Sequence, residues 1–301
     1  MDWVTIATKY RPVYYLHPEE QAFPITMTEF LYCTEAVGPD GALLKAGPLT
    51  PTMLHELDNV PAGSTLRYRK NLDYRKYGQR DFSTVPILVN DYDEDGKHYI
   101  NYITTWGFNQ PFNIALFFHV GAHQFDAEHC TLECNASGEP LRFYYAAHAT
   151  ENGTWKNWED VDKEEDGLRP TVFPAVGSHA SYPDEGVWFR LMGAASDVTE
   201  KGYRWDPDIS MIYPTDNPLY DSESMGWMKF TGKMGNGHVS NIPQQKWFLK
   251  SNLGNQDSDP AVRMTNGREF LLLHNVSLLL LYATFLFFIV LLLNVSWRSR
   301  T

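Results

Sequence analysis

This chain has little basic charge and few cysteines. Its 301 residues include 25 Lys plus Arg against 37 Asp plus Glu, which gives a net charge of −12. Proteins that bind the nucleic-acid backbone need basic surface to displace counterions, so this balance excludes nucleic acid as a partner. The three cysteines are odd in number, and Cys130 and Cys134 stand four apart in one predicted strand, too far to bridge. A reducing compartment is therefore the simpler interpretation.

The chain also lacks several motifs of catalysis and targeting. It contains no G-x-S-x-G elbow and no Walker or Rossmann glycine spacing. Its first residues, MDWVTIATKYRP, lack the basic start and apolar run of a secretory signal. Internal repeats and low-complexity tracts are absent as well. Nucleotide-binding folds of the common glycine-rich classes are therefore not expected.

The clearest feature present is an apolar run at residues 270–297. Its inner part, residues 276–293, carries no charge, and this length of helix spans about 27 Å, close to the hydrocarbon thickness of a bilayer. The run predicts a single C-terminal transmembrane helix, followed by a short basic tail at residues 298–301. The expected anchor residues are Val276, Leu280, Phe285, Phe288, Leu293 and, at the membrane interface, Trp297.

A C-terminal anchor without a signal sequence predicts a tail-anchored protein with its soluble domain in the cytosol, on an endomembrane. Four N-x-S/T sites, at Asn135, Asn152, Asn275 and Asn294, would favour a lumenal domain if they were used. Such short motifs arise often by chance, and the last two lie in or beside the membrane segment. Glycosylation of Asn135 or Asn152 would overturn the cytosolic assignment.

Residues 1–250 are predicted to form an antiparallel β-sandwich with short helices. Prolines and glycines, 18 and 21 in number, divide the chain into short runs rich in Tyr, Phe, Trp, Val and Thr, the residues that favour strands. No helical pattern alternates with these runs, so a doubly wound sheet is not expected. Short helices are predicted near residues 25–32 and 53–57. Residues 251–269 are interpreted as a polar tether to the anchor.

An acidic stretch at residues 91–96, DYDEDG, begins like an EF-hand calcium loop. However, the twelfth position is Tyr102 rather than a bidentate Glu, and the flanking residues resemble strands. A β-hairpin with a turn at Asp95 and Gly96 explains both the acids and the glycine, and it is the favoured interpretation.

A second acidic pair, Asp126 and Glu128, opens a predicted strand. Side chains at i and i+2 share a face about 7 Å apart, so these carboxylates can close on one cation or hold a polar ligand. His148 and His179 each follow an apolar strand, where loops gather site residues. Two acids together with a His are typical ligands of a divalent cation. We favour calcium or magnesium, and the same ligands can also bind manganese or zinc.

The alternative is that the acidic pair faces solvent and that the histidines are structural. Ser178 and His179 are adjacent, and neighbouring strand residues point to opposite faces, so this dipeptide is not a catalytic pair by itself.

Several ordered segments resemble the family of vacuolar protein sorting-associated protein 62 and a related plant domain of unknown function. The matching segments are YRPV at 10–13, LHPEE at 16–20, DAEH at 126–129, YY at 144–145 with His148, GTW at 153–155, RP at 169–170 and VGSHASYP at 176–183, with Gly202, Trp205, Trp227, Gly232 and Trp247 in order. The resemblance spans about residues 10–248. Ala127 departs from it, because the family usually has Trp there. The aromatic cover over the acidic pair is therefore expected to be missing.

A shorter resemblance links residues 123–128, HQFDAE, to the GHRHDWE motif of necrosis-inducing cytolysins, which are β-sandwich proteins that hold a divalent cation and engage sphingolipid headgroups. This resemblance implies that His123, Asp126 and Glu128 are cation ligands, with His179 as a more distant member. The residues expected to contact a bound ligand are His129, His148, Ser178 and Tyr182.

Three functional hypotheses follow. The leading one is a non-catalytic, tail-anchored β-sandwich whose cation site recognises lipid headgroups or trafficking proteins at an endomembrane. The second is a metal-dependent hydrolase in which His148 or His129 acts as general base. The third is a structural membrane protein of an organelle or virus with a degenerate site.

Overall fold

The computed structural model describes residues 1–72, 78, 81–114, 118–148, 153–190, 195–237, 248–249 and 262–264. Within these residues the α-helices are α1 (Trp3–Lys9), α2 (Met27–Cys33), α3 (Pro51–His55) and α4 (Ser222–Met225). The strands are β1 (Val13–Leu16), β2 (Thr34–Val37), β3 (Leu43–Lys45), β4 (Thr65–Tyr68), β5 (Ile87–Glu94), β6 (Lys97–Asn109), β7 (Phe112–Ile114), β8 (Phe118–Val120), β9 (His123–Cys134), β10 (Pro140–Tyr145), β11 (Thr154–Asn157), β12 (Thr171–Pro174), β13 (Ser181–Tyr182), β14 (Gly186–Arg190), β15 (Ala195–Thr199), β16 (Tyr203–Trp205), β17 (Ile209–Met211) and β18 (Val262–Met264). The predicted mainly β class is confirmed.

The largest sheet has six strands in the order β11-β10-β9-β6-β5-β17. Strands β5 and β6 form a hairpin whose turn residues, Asp95 and Gly96, both have positive φ, of 51° and 74°. This is the left-handed pair of a tight two-residue hairpin turn. The hairpin predicted for the acidic stretch is therefore confirmed, and the flanking helices of an EF-hand are absent from residues 81–114.

A four-stranded sheet, β13-β12-β1-β16, packs against the large sheet through a shared core. Tyr14 and Trp205 on this sheet meet Tyr102 and Leu132 of the large sheet, and all four side chains are buried. Two sheets that bury apolar faces against each other form a sandwich. The prediction of a wholly antiparallel sandwich is wrong in this respect, because β1 pairs with β12, and β5 with β17, in parallel.

The opposite face of the large sheet carries a second core. Ile103, Phe125 and Ala127 from this face pack with α2, α3 and the small sheet β3-β2-β4, which contribute residues such as Phe30 and Leu66. Strand β9 is therefore covered on both faces near its beginning, and this burial explains why its polar residues need partners.

Capping residues account for the short helices. Thr26 caps α2 by accepting a hydrogen bond from the backbone N–H of Glu29, and Thr50 caps α3 in the same way. These helices lie within about two residues of the predicted ranges. Helix α1, capped by Asp2, was not predicted.

The predicted transmembrane helix at residues 270–297 lies outside the described residues. Among the residues that are described, no helix is long and apolar enough to cross a membrane. Part of the predicted tether does belong to the fold, because Val262–Met264 forms β18 and pairs with β14.

Candidate functional site

Strand β9 presents Asp126 at the buried end of the sandwich. Its register partner on β6 is Trp106, and one residue earlier Phe125 adopts a left-handed φ of 58°. A bulky side chain rarely adopts this conformation, and here Phe125 is fixed by burial against Phe30, with ring centroids 4.4 Å apart. Simple alternation would place His123 and Asp126 on opposite faces. Instead His123 Nε2 lies 3.9 Å from Asp126 Oδ1.

His179 holds the other oxygen of the same carboxylate. It lies in the loop after β12 with a left-handed φ of 56°, and its Nδ1 donates to Asp126 Oδ2 at 2.9 Å. The imidazole stacks on Trp106, with centroids 4.1 Å apart and planes at 7°. Burial by itself lowers the pKa of His179, but hydrogen bonding and the charges of Asp126 and Glu20 raise the pKa to about 9. The ring is therefore a buried cation at neutral pH.

The same contacts keep Asp126 ionised. Burial acts to raise the pKa of this carboxyl, but the hydrogen bond from His179 and the nearby histidine charges outweigh burial and lower it. A buried carboxylate with a buried imidazolium is a pair whose partners depend on each other, because either one alone would be an uncompensated charge.

Glu20 belongs to this cluster and was not predicted as a site residue. Its Oε1 accepts from the N–H groups of Gln21 and Ala22 and from Gln110 Nε2, and its Oε2 accepts from the N–H of Gly177. Oε1 is also 3.8 Å from His179 Nε2, a nitrogen with no hydrogen-bond partner among the described residues. These hydrogen bonds use most of the acceptor positions of Glu20. The contact with Gly177 positions the 177–179 loop, and the carboxylate balances the charge of His179.

A second buried carboxylate, Asp197 of β15, gathers three of the predicted ligand-contacting residues. It accepts from Ser178 Oγ at 2.9 Å, from the Tyr182 hydroxyl at 2.7 Å and from His148 Nε2 at 2.5 Å. His148 has a left-handed φ of 50°, and its side chain is 21% exposed. The sequence around Asp197 carries no signal for this role, because the residue lies within an ordinary short strand.

The two remaining predicted residues lie further along β9. Glu128 is opposite Thr104, so alternation places its side chain on the same face as Asp126. His129 lies on the other face, where its Nδ1 is 3.1 Å from Thr131 Oγ1. His129 therefore points away from Asp126.

The expected loss of aromatic cover at Ala127 is wrong. Ala127 packs in the core on the face opposite Asp126, so a Trp at this position would not cover the carboxylate. The cover comes from the neighbouring strand, where Trp106 lies opposite Asp126 and stacks on His179.

The gap between His123 and Asp126 fits the donor chemistry of a divalent cation. His123 Nδ1 is 2.7 Å from the carbonyl oxygen of Phe125, which only accepts, so Nδ1 carries a proton and Nε2 is the ring nitrogen that faces Asp126. Two donors 3.9 Å apart suit one ion, since ligand distances are about 2.0–2.6 Å for magnesium and calcium. Across the described part of the chain, no three His, Cys, Asp or Glu side chains converge on one metal position. The cation stays a prediction, with at most two donors preformed.

The fold and site define a class: a mainly β domain built around a two-sheet sandwich, with a carboxylate–histidine cluster buried at one end of its central strands. Within it, residues 108–213 match the family model described as vacuolar protein sorting-associated protein 62. This match confirms the resemblance over the segment that carries Asp126, His148, His179 and Asp197.

Solved structures of necrosis-inducing proteins are also similar to this chain. NLPPya in complex with glucosamine is 12% identical, with a TM-score of 0.42, over 83% of this chain and 90% of that one. Necrosis and Ethylene inducing Protein 2, from the causal agent of cocoa's Witches Broom disease, is 12% identical with a TM-score of 0.35, over 68% and 72%. The non-toxic HaNLP3 protein is 10% identical with a TM-score of 0.39, over 87% and 92%. No curated protein shows a significant match.

Proposed function

We propose that this protein is a non-catalytic binding domain, tethered to a membrane by residues 270–297, that recognises a polar lipid headgroup through a divalent cation at Asp126. The observation that carries this proposal is the 3.9 Å gap between His123 Nε2 and Asp126 Oδ1. When Nε2 is unprotonated, both atoms present lone pairs to the gap, and one cation between them satisfies both.

Glu128 is the next carboxylate on this face and is the third protein ligand in the proposal. Magnesium in particular binds one or two carboxylates and completes its coordination with water and phosphate oxygens. A site with few protein donors therefore leaves coordination positions for a headgroup. The cation also reconciles an acidic chain, of net charge −12, with an anionic ligand.

His179 is a positioning residue in this proposal. Its Nδ1–H holds one oxygen of Asp126, and stacking on Trp106 fixes the ring plane. The other carboxylate oxygen is then presented to the gap. Partners in membrane trafficking, as the matched family's description suggests, stay part of the same proposal.

The test uses the full chain reconstituted into nanodiscs. Apparent calcium and magnesium affinities are measured in phosphatidylcholine alone and with 20% phosphatidylserine or phosphatidylinositol phosphate added. We expect the anionic headgroups to raise the affinity at least tenfold in wild type but not in Asp126→Asn. The control is Asp95→Asn, the same chemical change in the hairpin turn. Equal affinities in all lipids would rule out headgroup recognition through the cation.

A hydrolase is the second candidate, and the pair His148–Asp197 favours it. The carboxylate fixes His148 Nε2, and the partly exposed ring has a second nitrogen that can accept a proton. Hydrolysis of activated p-nitrophenyl acyl and phosphate esters, compared between wild type and His148→Gln, tests this candidate. Turnover that disappears in the variant would favour a hydrolase over a binding domain.

A further inference from the structure

The segment that leads towards the anchor is bound to the folded domain as an edge strand. β18 pairs antiparallel with β14, with Met264 opposite Val187 and Val262 opposite Phe189. β14 pairs on its other side with β15, where Gly186 is opposite Thr199. The chain is thus fixed to a three-stranded sheet as far as Met264, within the stretch that the sequence alone predicts to be a tether.

The register decides which end of this sheet the chain leaves. Because β18 runs against β14, its last residue lies beside the first residues of β14. From Met264 to the start of the apolar run at Phe270 there are six residue steps, which span at most about 22 Å. The chain therefore leaves the sheet at the end formed by Gly186 and Thr199 and continues from there towards the anchor.

We propose that this end of the sheet, with Asp184, Glu185 and Lys201 beside it, faces the bilayer in which the chain is anchored. The inference rests on the proposed membrane tether. β18 acts as a clamp: it converts a predicted free linker into a short connection, so that one end of the domain lies against the lipid surface and the other end points away.

The pairing of β18 also bears on which bilayer supplies the headgroup that reaches the binding site. Asp197 lies two residues before Thr199 on β15, about 7 Å along the strand from the membrane-facing end. Adding the reach of the connection and the two interstrand spacings from β18 to β15, about 10 Å together, places Asp197 within about 40 Å of the apolar run. Ser178 bonds Asp197 and is adjacent to His179, which bonds Asp126. In the proposed orientation the ligand is a headgroup of the same bilayer rather than of an opposing membrane.

The charged groups at this end of the sheet are compatible with a position close to the lipid headgroups. Lys156 Nζ is 3.7 Å from Asp184 Oδ2 and balances the charge of that carboxylate, and the backbone N–H of Lys201 donates a hydrogen bond to Glu185 Oε1. Glu185 and the Lys201 side chain are exposed. A lysine at the surface suits contact with the phosphate layer of a bilayer.

The experiment places a fluorophore at either end of the sheet in the full chain, reconstituted with lipids that carry a headgroup quencher. Cysteines are introduced as Glu185→Cys near the expected membrane side and Ser196→Cys near the other end. The three native thiols are buried, so labelling is selective. We expect at least twofold stronger quenching at position 185. The matched variant Arg263→Pro disrupts β18 pairing and should abolish the difference.

Hydrogen exchange of the amides of residues 262–264, measured on the full chain in detergent, gives a second readout that does not need a membrane. Slow exchange that becomes fast in Arg263→Pro supports the clamp. Fast exchange in wild type, or equal quenching at both labels in a chain that resists carbonate extraction, overturns the inference and leaves the tether supported. A chain that carbonate extracts from the lipid contradicts the proposed tether itself, and the membrane-facing surface with it.

Discussion

Ser178 and His179 are neighbours in the chain, yet they donate hydrogen bonds to two different buried carboxylates. Ser178 Oγ reaches Asp197 and His179 Nδ1 reaches Asp126, each at 2.9 Å. The left-handed φ of 56° at His179 turns successive side chains towards separate strands. This dipeptide therefore links β15 to β9, and a change at either carboxylate is expected to affect the other.

Removing His179 should strongly destabilise the fold. We expect His179→Ala to lower the free energy of unfolding by about 3–5 kcal/mol, because it leaves Asp126 as a buried, uncompensated charge. Urea unfolding of the full chain in detergent measures the effect. In the double variant with Asp126→Asn, much of the loss should be recovered. A loss below about 0.5 kcal/mol would contradict the buried ion pair.

The stability of the metal-free chain should depend on alkaline pH through the same residue. The pKa of His179 is raised from 6.5 to about 9 in the folded state, so protonation stabilises the fold fully below pH 6.5. This contribution is lost as the pH rises through about 9. Unfolding measured with chelator between pH 6 and 10 should show this decline in wild type and a flatter profile in His179→Gln. Equal profiles would argue against a protonated His179.

Asp197 should fix the tautomer of His148. Because His148 Nε2 donates to the carboxylate, the neutral ring is expected to carry its proton on Nε2. Asp197→Asn removes the charge and should shift the proton towards Nδ1, with a loss of about 1–3 kcal/mol of stability. Long-range nitrogen–proton NMR of the imidazole distinguishes the two tautomers. An unchanged tautomer in the variant would show that Asp197 does not control the ring.

Two buried thiols should be inert until the domain unfolds. Burial raises the pKa of Cys130 and of Cys134 to about 12, so both stay protonated at pH 8. Alkylation by iodoacetamide, followed by mass spectrometry, should modify them only in denaturant. Modification of folded protein at the rate of a free thiol would contradict their placement in the core.

Local features of this fold could be predicted from the sequence. Strands such as Val13–Leu16 and Gly186–Arg190 are examples, because runs of β-branched and aromatic residues between turn residues indicate local strand structure. The hairpin turn at Asp95 and Gly96 follows from the same chemistry. The predicted trio His123, Asp126 and His179 also lies together.

The missed features depend on long-range topology. Glu20 reaches the 177–179 loop across more than 150 residues of chain, and Asp197 meets His148 only because β15 and the end of β10 converge. No sequence period reports such a contact. The sequence also does not indicate the left-handed φ of Phe125, because a buried aromatic residue normally favours an extended strand. Edge pairing by β18 was missed for the same reason.

The central claim is that Asp126 holds a divalent cation, and the most direct measurement is thermal unfolding of the full chain, stripped with chelator, against added calcium, magnesium, manganese and zinc. At a hundred times its dissociation constant, a cation that binds only the folded state adds about 2.7 kcal/mol, a readily visible shift. We predict this shift in wild type and in Asp95→Asn, and its loss in Asp126→Asn and Glu128→Gln. No shift with any of the four ions, or an equal shift in Asp126→Asn, would contradict the claim.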